Sequence, residues 1–195
     1  MFTSFFLKML NREAASPKHK SERIIESLNI QESYTIADIG AGGGYFTLKF
    51  AKKVGETGKV YAVDTQAKYL DYIRHEAERE GVDNIIFVLT TEDGMDLPES
   101  DIDLIFARNV FHHLSEPGKY FRNLKRFLKP SGKVAIIDHK PKGGFSFVSL
   151  FRHHTPEEVI LQEMENAGYY LVESFDFLSE QTFSLLGVEL FEGTA

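Results

Sequence analysis

The 195-residue chain has no cysteine, which excludes a disulfide framework, a thiolate nucleophile and any cysteine-based zinc site. It also lacks internal repeats, low-complexity tracts and long Pro/Gly linkers, so it is read as one compact domain. No apolar run is long enough to span a bilayer. The N-terminal stretch from Met1 to Leu10 is apolar, but Asn11-Arg-Glu13 follow at once and the basic start of a signal peptide is missing. Basic residues number 22 against 29 acids, giving a net charge of −7. That balance disfavours a broad nucleic-acid surface while leaving room for a local basic patch. With 43% apolar and 26% charged residues the composition is that of a globular protein with a sizeable core. A soluble, cytoplasmic chain is expected, its N-terminal segment folding as a helical flap on the domain or on a partner.

Apolar spacing predicts a helix from Ser16-Pro17 through Ile24, Ile25 and Leu28, then a strand over Tyr34–Ile39 stopped by Gly40, Gly42, Gly43 and Gly44. Helix and strand then alternate. A helix through Phe46, Leu48, Phe50 and Val54 ends at Gly55. Lys59–Asp64 reads as a strand, Ala67–Glu80 as a helix closed by Gly81, Ile85–Thr90 and Ile102–Ala107 as strands, and Pro117–Leu128 as a helix. Lys133–Asp138 is the fifth strand. Thr155-Pro-Glu-Glu158 opens a helix with a hydroxyl cap, proline in the first turn and acids at its positive end. The last runs, Tyr169–Leu178 and Thr182–Phe191, have only Ser179-Glu-Gln181 between them and must pair antiparallel. The result is an α/β, doubly wound sheet with an antiparallel C-terminal hairpin, whose ligands sit beyond the strands' C-terminal ends.

At the first strand end stands Asp38-Ile-Gly40-Ala-Gly42-Gly-Gly44-Tyr45. A dinucleotide site wants G-x-G-x-x-G, but here the third glycine comes one place early. The Asp38 carboxylate beside the loop would repel a pyrophosphate and welcome a cationic, phosphate-free ligand such as S-adenosylmethionine. Asp64 ends the second strand about twenty residues on, where an acid can accept hydrogen bonds from both ribose hydroxyls. After the third strand, Asp93 beside Gly94 is the choice for an adenine amino group, with Glu92 as its rival. The fourth strand delivers Arg108, Asn109, His112 and His113. Adjacent histidines do not readily share one ion and no spaced ligand set completes them, so no metal is expected. His153 and His154 read as loop or helix-entry residues. Lys119, Arg122, Lys125, Arg126 and Lys129 read as the solvated face of one helix.

With these residues in place the chain resembles class I S-adenosylmethionine-dependent methyltransferases, in particular the small-molecule branch that includes ubiquinone/menaquinone C-methyltransferases. The likeness covers residues 34–140: Asp38 to Gly44, Ala62-Val-Asp64, Glu92-Asp93 with Leu97-Pro98, Val110-Phe-His-His-Leu114 and Leu128-Lys-Pro-Ser-Gly132. It implies a Rossmann-like, mostly parallel seven-stranded sheet with only the last strand antiparallel. Residues 1–33 would form a helical cap and 34–195 the cofactor-binding domain. It further implies that Asp38, Gly40 and Gly42 line the methionine end, that Gly44 also binds the cofactor, that Asp64 holds the ribose and Asp93 and Gly94 the adenine, and that Arg108 and Asn109 lie on the methionine side.

The reaction expected is in-line methyl transfer, which mainly requires alignment and exclusion of water. A general base is needed only for an acceptor that arrives protonated, and His112, His113 and His139 are the candidates. The acceptor is expected to be a small molecule, and the N-terminal apolar segment is a candidate homodimer surface. Two other functions stay open: a macromolecular methyltransferase acting on protein or RNA, and a cofactor-binding protein without turnover. Arg108-Asn-Val-Phe111 stands where amino-directed enzymes carry an Asn-Pro-Pro-Tyr-like motif.

Overall fold

The structure, a computed structural model, describes residues 2–91, 97, 101–140 and 155–188. The chain forms two compact units, Met1–Leu97 and Pro98–Ala195. No described helix is long and apolar enough to cross a membrane.

In the first unit helices α1 (Phe2–Ala14) and α2 (Ser21–Ser27) precede β1 (Thr35–Ile39), α3 (Tyr45–Val54), β2 (Lys59–Asp64), α4 (Ala67–Glu80) and β3 (Ile85–Leu89). The strands lie in the order β3-β2-β1, all parallel, with Asp38 opposite Ala62 and Asp64 opposite Leu89. Their interiors read as unbroken apolar runs because parallel strands are covered on both faces. Val60, Tyr61, Ala62 and Val63 are fully buried. The helix expected from Ser16 to Leu28 is broken: Pro17–His19 is a 3-10 turn, and Lys20, in the left-handed region at φ 48°, separates it from α2. Helix α1 packs on α4 with Leu7 fully buried, leaving Phe5, Phe6 and Met9 exposed.

In the second unit β4 (Ile102–Arg108), α5 (Pro117–Leu124) and β5 (Leu128–His139) are followed by α6 (Glu157–Asn166), β6 (Tyr169–Ser174) and β7 (Gln181–Val188). Here β4 and β5 are parallel, and β7 is antiparallel to both β5 and β6. Strand β7 alone runs against the others of this unit, and the C-terminal hairpin is as expected. Strand β5 starts five residues early because Leu128 already pairs with Ile102, and the ladder then shifts register to Leu104 opposite Lys133.

Two local expectations are corrected. Thr155 does not cap α6: Pro156 holds the N-cap position without a side-chain bond, and Glu157 accepts the Ser174 hydroxyl at 2.7 Å. The five cations from Lys119 to Lys129 do not share one helix, since Lys125 and Arg126 lie in a 3-10 turn and Lys129 in β5. They serve local structure. Arg122 and Lys125 donate to the carbonyls of Asn166 and Gly168, and Lys129 is paired with Asp103 at 2.9 Å.

Gly44, which caps α3, and Gly81, which ends α4, both have left-handed backbones, with φ 80° and 66°. A Cβ at Gly44 would meet Ile73 Cγ1 at 2.8 Å, whereas at Gly81 it meets nothing within 4 Å. Gly81→Ala should therefore cost the conformational penalty alone, about 1–2 kcal/mol, and Gly44→Ala clearly more. Urea denaturation of the two variants compares them, and equal losses would mean that Ile73 gives way freely.

Candidate functional site

The glycine loop leaves β1 and enters α3 through three left-handed residues, Gly40, Gly42 and Gly44, at φ 68°, 56° and 80°. Its amides are turned inward. Gly40 and Ala41 donate to Val63 O, Gly44 donates to Ala41 O, and Gly42 donates to Asp64 Oδ2 at 3.0 Å. Asp64 Oδ1 accepts the Gln66 amide at 2.9 Å. One carboxylate thus joins the end of β2 to the middle of the loop. Burial raises the pKa of Asp64, and the backbone N–H groups of Gly42, Gln66 and Thr65 oppose that shift.

Asp38 is the inner acid, 3% exposed on β1. Its Oδ2 accepts the Thr47 hydroxyl at 2.5 Å. Burial pushes its pKa up to about 7; Thr47 pulls it down, and the negative charge of Asp64 pushes it further up. Asp38 therefore keeps its proton to a higher pH than an exposed aspartate does. A cation brought beside it would favour the charged form. Thr47 escaped the sequence reading. Its signal is a hydroxyl at the head of the buried stripe Thr47, Phe50, Ala51, Val54, where the helical period calls for an apolar side chain.

Helix α1 clamps this loop from outside. Asn11 Nδ2 donates to Gly43 O at 2.7 Å, and a Cβ at Gly43 would lie 2.8 Å from Leu7 O. Only glycine lets the helix approach so closely.

The histidines of the second unit gather around a second buried acid. Asp138 is fully buried near the end of β5. Its Oδ1 contacts His112 Nδ1 at 2.6 Å and accepts the His139 amide at 2.7 Å, and its Oδ2 accepts the His112 amide at 3.0 Å. The His112 side chain is only 7% exposed, whereas His113 is exposed with its ring 4.0 Å from that of His112. The His139 ring stands 6.1 Å from His112. Asp138 thus picks out one of the three candidate histidines by holding it on two sides. Among the described residues no group of three His, Asp or Glu side chains is placed to hold a metal ion.

Arg108 and Asn109 follow each other out of β4. Asn109 takes a left-handed backbone, φ 57°, with its amide bonded to Ile137 O. Gln181, at the start of β7, donates to Asn109 Oδ1 at 2.6 Å and accepts from Arg108 Nη2 at 2.9 Å. Gln181 was not foreseen, because it sits in the hairpin turn of the sequence reading and its role depends on β7 lying beside β5. Glu92, Asp93, Gly94, His153 and His154 lie outside the described residues.

The chain matches the family described as a methyltransferase domain over residues 30–182. It is 29% identical over 182 residues to the ubiquinone/menaquinone biosynthesis C-methyltransferase UbiE of Escherichia fergusonii, covering 78% of this chain and 72% of that protein. It is 27% identical over 143 residues to the uncharacterized methyltransferase YcgJ of Bacillus subtilis, covering 73% of this chain. The chain spans 50% of the length of YcgJ. Among solved structures, a SAM-dependent methyltransferase from Aquifex aeolicus superposes with a TM-score of 0.78 at 27% identity, covering 95% of this chain and 98% of that one. The seven-stranded, Rossmann-like methyltransferase fold is therefore shared.

Asp38 ties stability to pH. Its pKa rises from an ordinary 3.8 to about 7 on folding, so the folded state binds the proton more tightly. The stability this contributes is greatest at the acid end and is lost as pH climbs through 7, with a slope of up to about 1.4 kcal/mol per pH unit across that window. Asp38→Asn should flatten the ligand-free slope between these pH values. An unchanged slope in urea titrations would show that the proton is bound elsewhere.

Proposed function

The chain belongs to the methyltransferase-domain family, and on that premise we propose that it transfers a methyl group from S-adenosylmethionine to a small-molecule acceptor. The observation that carries this reading is the inward turn of the glycine-loop amides. A pyrophosphate site needs those N–H groups free to face the anion. Here four of them are spent on Val63 O, Ala41 O and the Asp64 carboxylate. The loop presents carboxylates in place of N–H donors, which suits ribose hydroxyls and a positive charge. The name of the Escherichia fergusonii relative, a C-methyltransferase of quinone biosynthesis, supports a small-molecule acceptor.

In this reading Asp64, at the end of β2 beside the loop, accepts the ribose hydroxyls. Asp38, braced by Thr47, supplies negative charge at the amino-acid end, and Gly40, Gly42 and Gly44 bring the backbone close. Asp93 with Gly94, or Glu92, takes the adenine, and Arg108 and Asn109, fixed by Gln181, complete the methionine side. When bound, the cofactor supplies a methyl group already activated on a sulfonium. The protein's remaining work is to align the acceptor, exclude water and take a proton where the acceptor carries one. His112 suits that last task. Asp138 Oδ1 stands 2.6 Å from its Nδ1, orients the ring and stabilises the imidazolium that forms when it takes a proton. Residues 1–33 act as a cap on the domain of residues 34–195. The exposed Phe5, Phe6 and Met9 support a homodimer surface on that cap. A cytoplasmic location fits a soluble acceptor.

Calorimetry tests the cofactor. S-adenosylmethionine and S-adenosylhomocysteine should bind and NADH should not, and Asp64→Asn should weaken both by about tenfold or more, the worth of a hydrogen bond to a charged group. NADH binding without S-adenosylmethionine binding would overturn the assignment.

The base is tested once an acceptor with an ionisable proton is in hand. His112→Ala should lower kcat by about 10²–10⁴-fold, with smaller losses for His113→Ala and His139→Ala. Asp138→Asn should also lower kcat by freeing the ring from its orientation. A larger loss at His113 or His139 than at His112 would transfer the role.

A further inference from the structure

A groove of about 550 Å³ opens on the outer side of the first unit between α1, α3 and α4. It falls within the size range of small-molecule sites. Five cations line it, Lys8 and Arg12 from α1, Lys49 and Lys52 from α3, and Arg79 from α4, against two acids, Glu76 and Glu80. In a chain with a net charge of −7 this is a local reversal of sign.

The acids and three of the cations neutralise one another or a neighbour. Lys52 pairs with Glu80 at 2.7 Å, Arg79 with Glu76 at 2.5 Å, and Lys49 with Glu22, outside the groove, at 2.6 Å. Lys8 and Arg12 stand one turn apart on the exposed side of α1, and among the described residues no acid lies within ion-pair distance of either. Two tyrosines, Tyr45 and Tyr72, add aromatic faces to the same wall.

We infer that this groove binds a small molecule bearing two or more phosphate groups, held by Lys8 and Arg12 with help from Lys49. A guanidinium and an ammonium converging on one concave surface match a multiply charged oxyanion, the first by its planar donor fork and the second as a point charge. The site is separate from the glycine loop, whose amides face inward, yet it is joined to it through α1. The helix that carries Lys8 and Arg12 also carries Asn11, which holds Gly43 O. A ligand in the groove braces α1 against α3 and α4 and so favours the clamped loop. This coupling, unlike the anion site itself, rests on the reading that the loop holds the cofactor, and linkage makes it reciprocal.

Inorganic tripolyphosphate, titrated into the whole chain with and without saturating S-adenosylhomocysteine, is the test. It should bind in both cases, more weakly as salt is raised. The double variant Lys8→Glu/Arg12→Glu should lose about tenfold or more in affinity, while Lys53→Glu, an exposed lysine of α3 that does not line the groove, changes it by less than about twofold. Tripolyphosphate should also tighten S-adenosylhomocysteine binding in the native chain and not in Asn11→Ala. No binding, equal binding by the double variant, or displacement by S-adenosylhomocysteine would overturn the anion site. Tripolyphosphate binding lost in the double variant of a protein that never binds S-adenosylhomocysteine would sink the cofactor reading and leave the groove standing.

Discussion

The contact between the Asp64 carboxylate and the Gly42 amide decides what the first unit can hold. A glycine-rich turn after a parallel strand is an anion site by default, because its N–H groups point outward and the helix behind it adds positive potential. Here an acid from the neighbouring strand reaches into the turn and takes the central donor, and Val63 O takes two more. The turn's polarity is reversed without any change in its outline. The glycines keep the left-handed angles that such a bend requires, while the charge facing a ligand is negative.

That reversal has a cost in the empty protein. Two carboxylates, Asp38 and Asp64, are withdrawn from water within reach of each other's field, and both have raised pKa values. Buried acids are tolerated where donors are fixed around them. Asp64 has backbone amides on both oxygens, whereas Asp38 leans on one residue, Thr47, through its hydroxyl and its backbone amide. Asp38 is therefore the softer of the two, able to hold a proton until a cation displaces it. The same logic recurs in the second unit, where Asp138 is buried completely but accepts three N–H donors from His112 and His139.

Much of this was legible in the residues. The bounds of β2 and α4 follow from alternation and from Gly81, and the hairpin follows from a linker too short for a crossover. Asp38 and Asp64 stood out as acids closing apolar strands. Asp138 has the same signature, at the end of Val134-Ala-Ile-Ile137, but the histidine beside it drew the attention. What could not be read depends on contacts distant in sequence. Lys129 meets Asp103 and Lys125 meets Gly168 through contacts distant in sequence, so two cations of an otherwise exposed stripe are spent on local structure. The early start of β5 is likewise set by the pairing of Leu128 with Ile102.

The N-terminal helix shows how an unremarkable segment acquires a role from its address. By composition it is an apolar flap; by packing it is a clamp, because Gly43 has no side chain to hold it off and Asn11 is placed to bond the loop carbonyl. Helix α1 is held through the buried Leu7, the Asn11 amide on Gly43 O and the Ser21 hydroxyl on Ala14 O. Charge at its exposed edge, at Lys8 and Arg12, is then well placed to influence the loop without touching a ligand bound there. The turn reversed in polarity by Asp64 thus has its second support in α1, through Asn11.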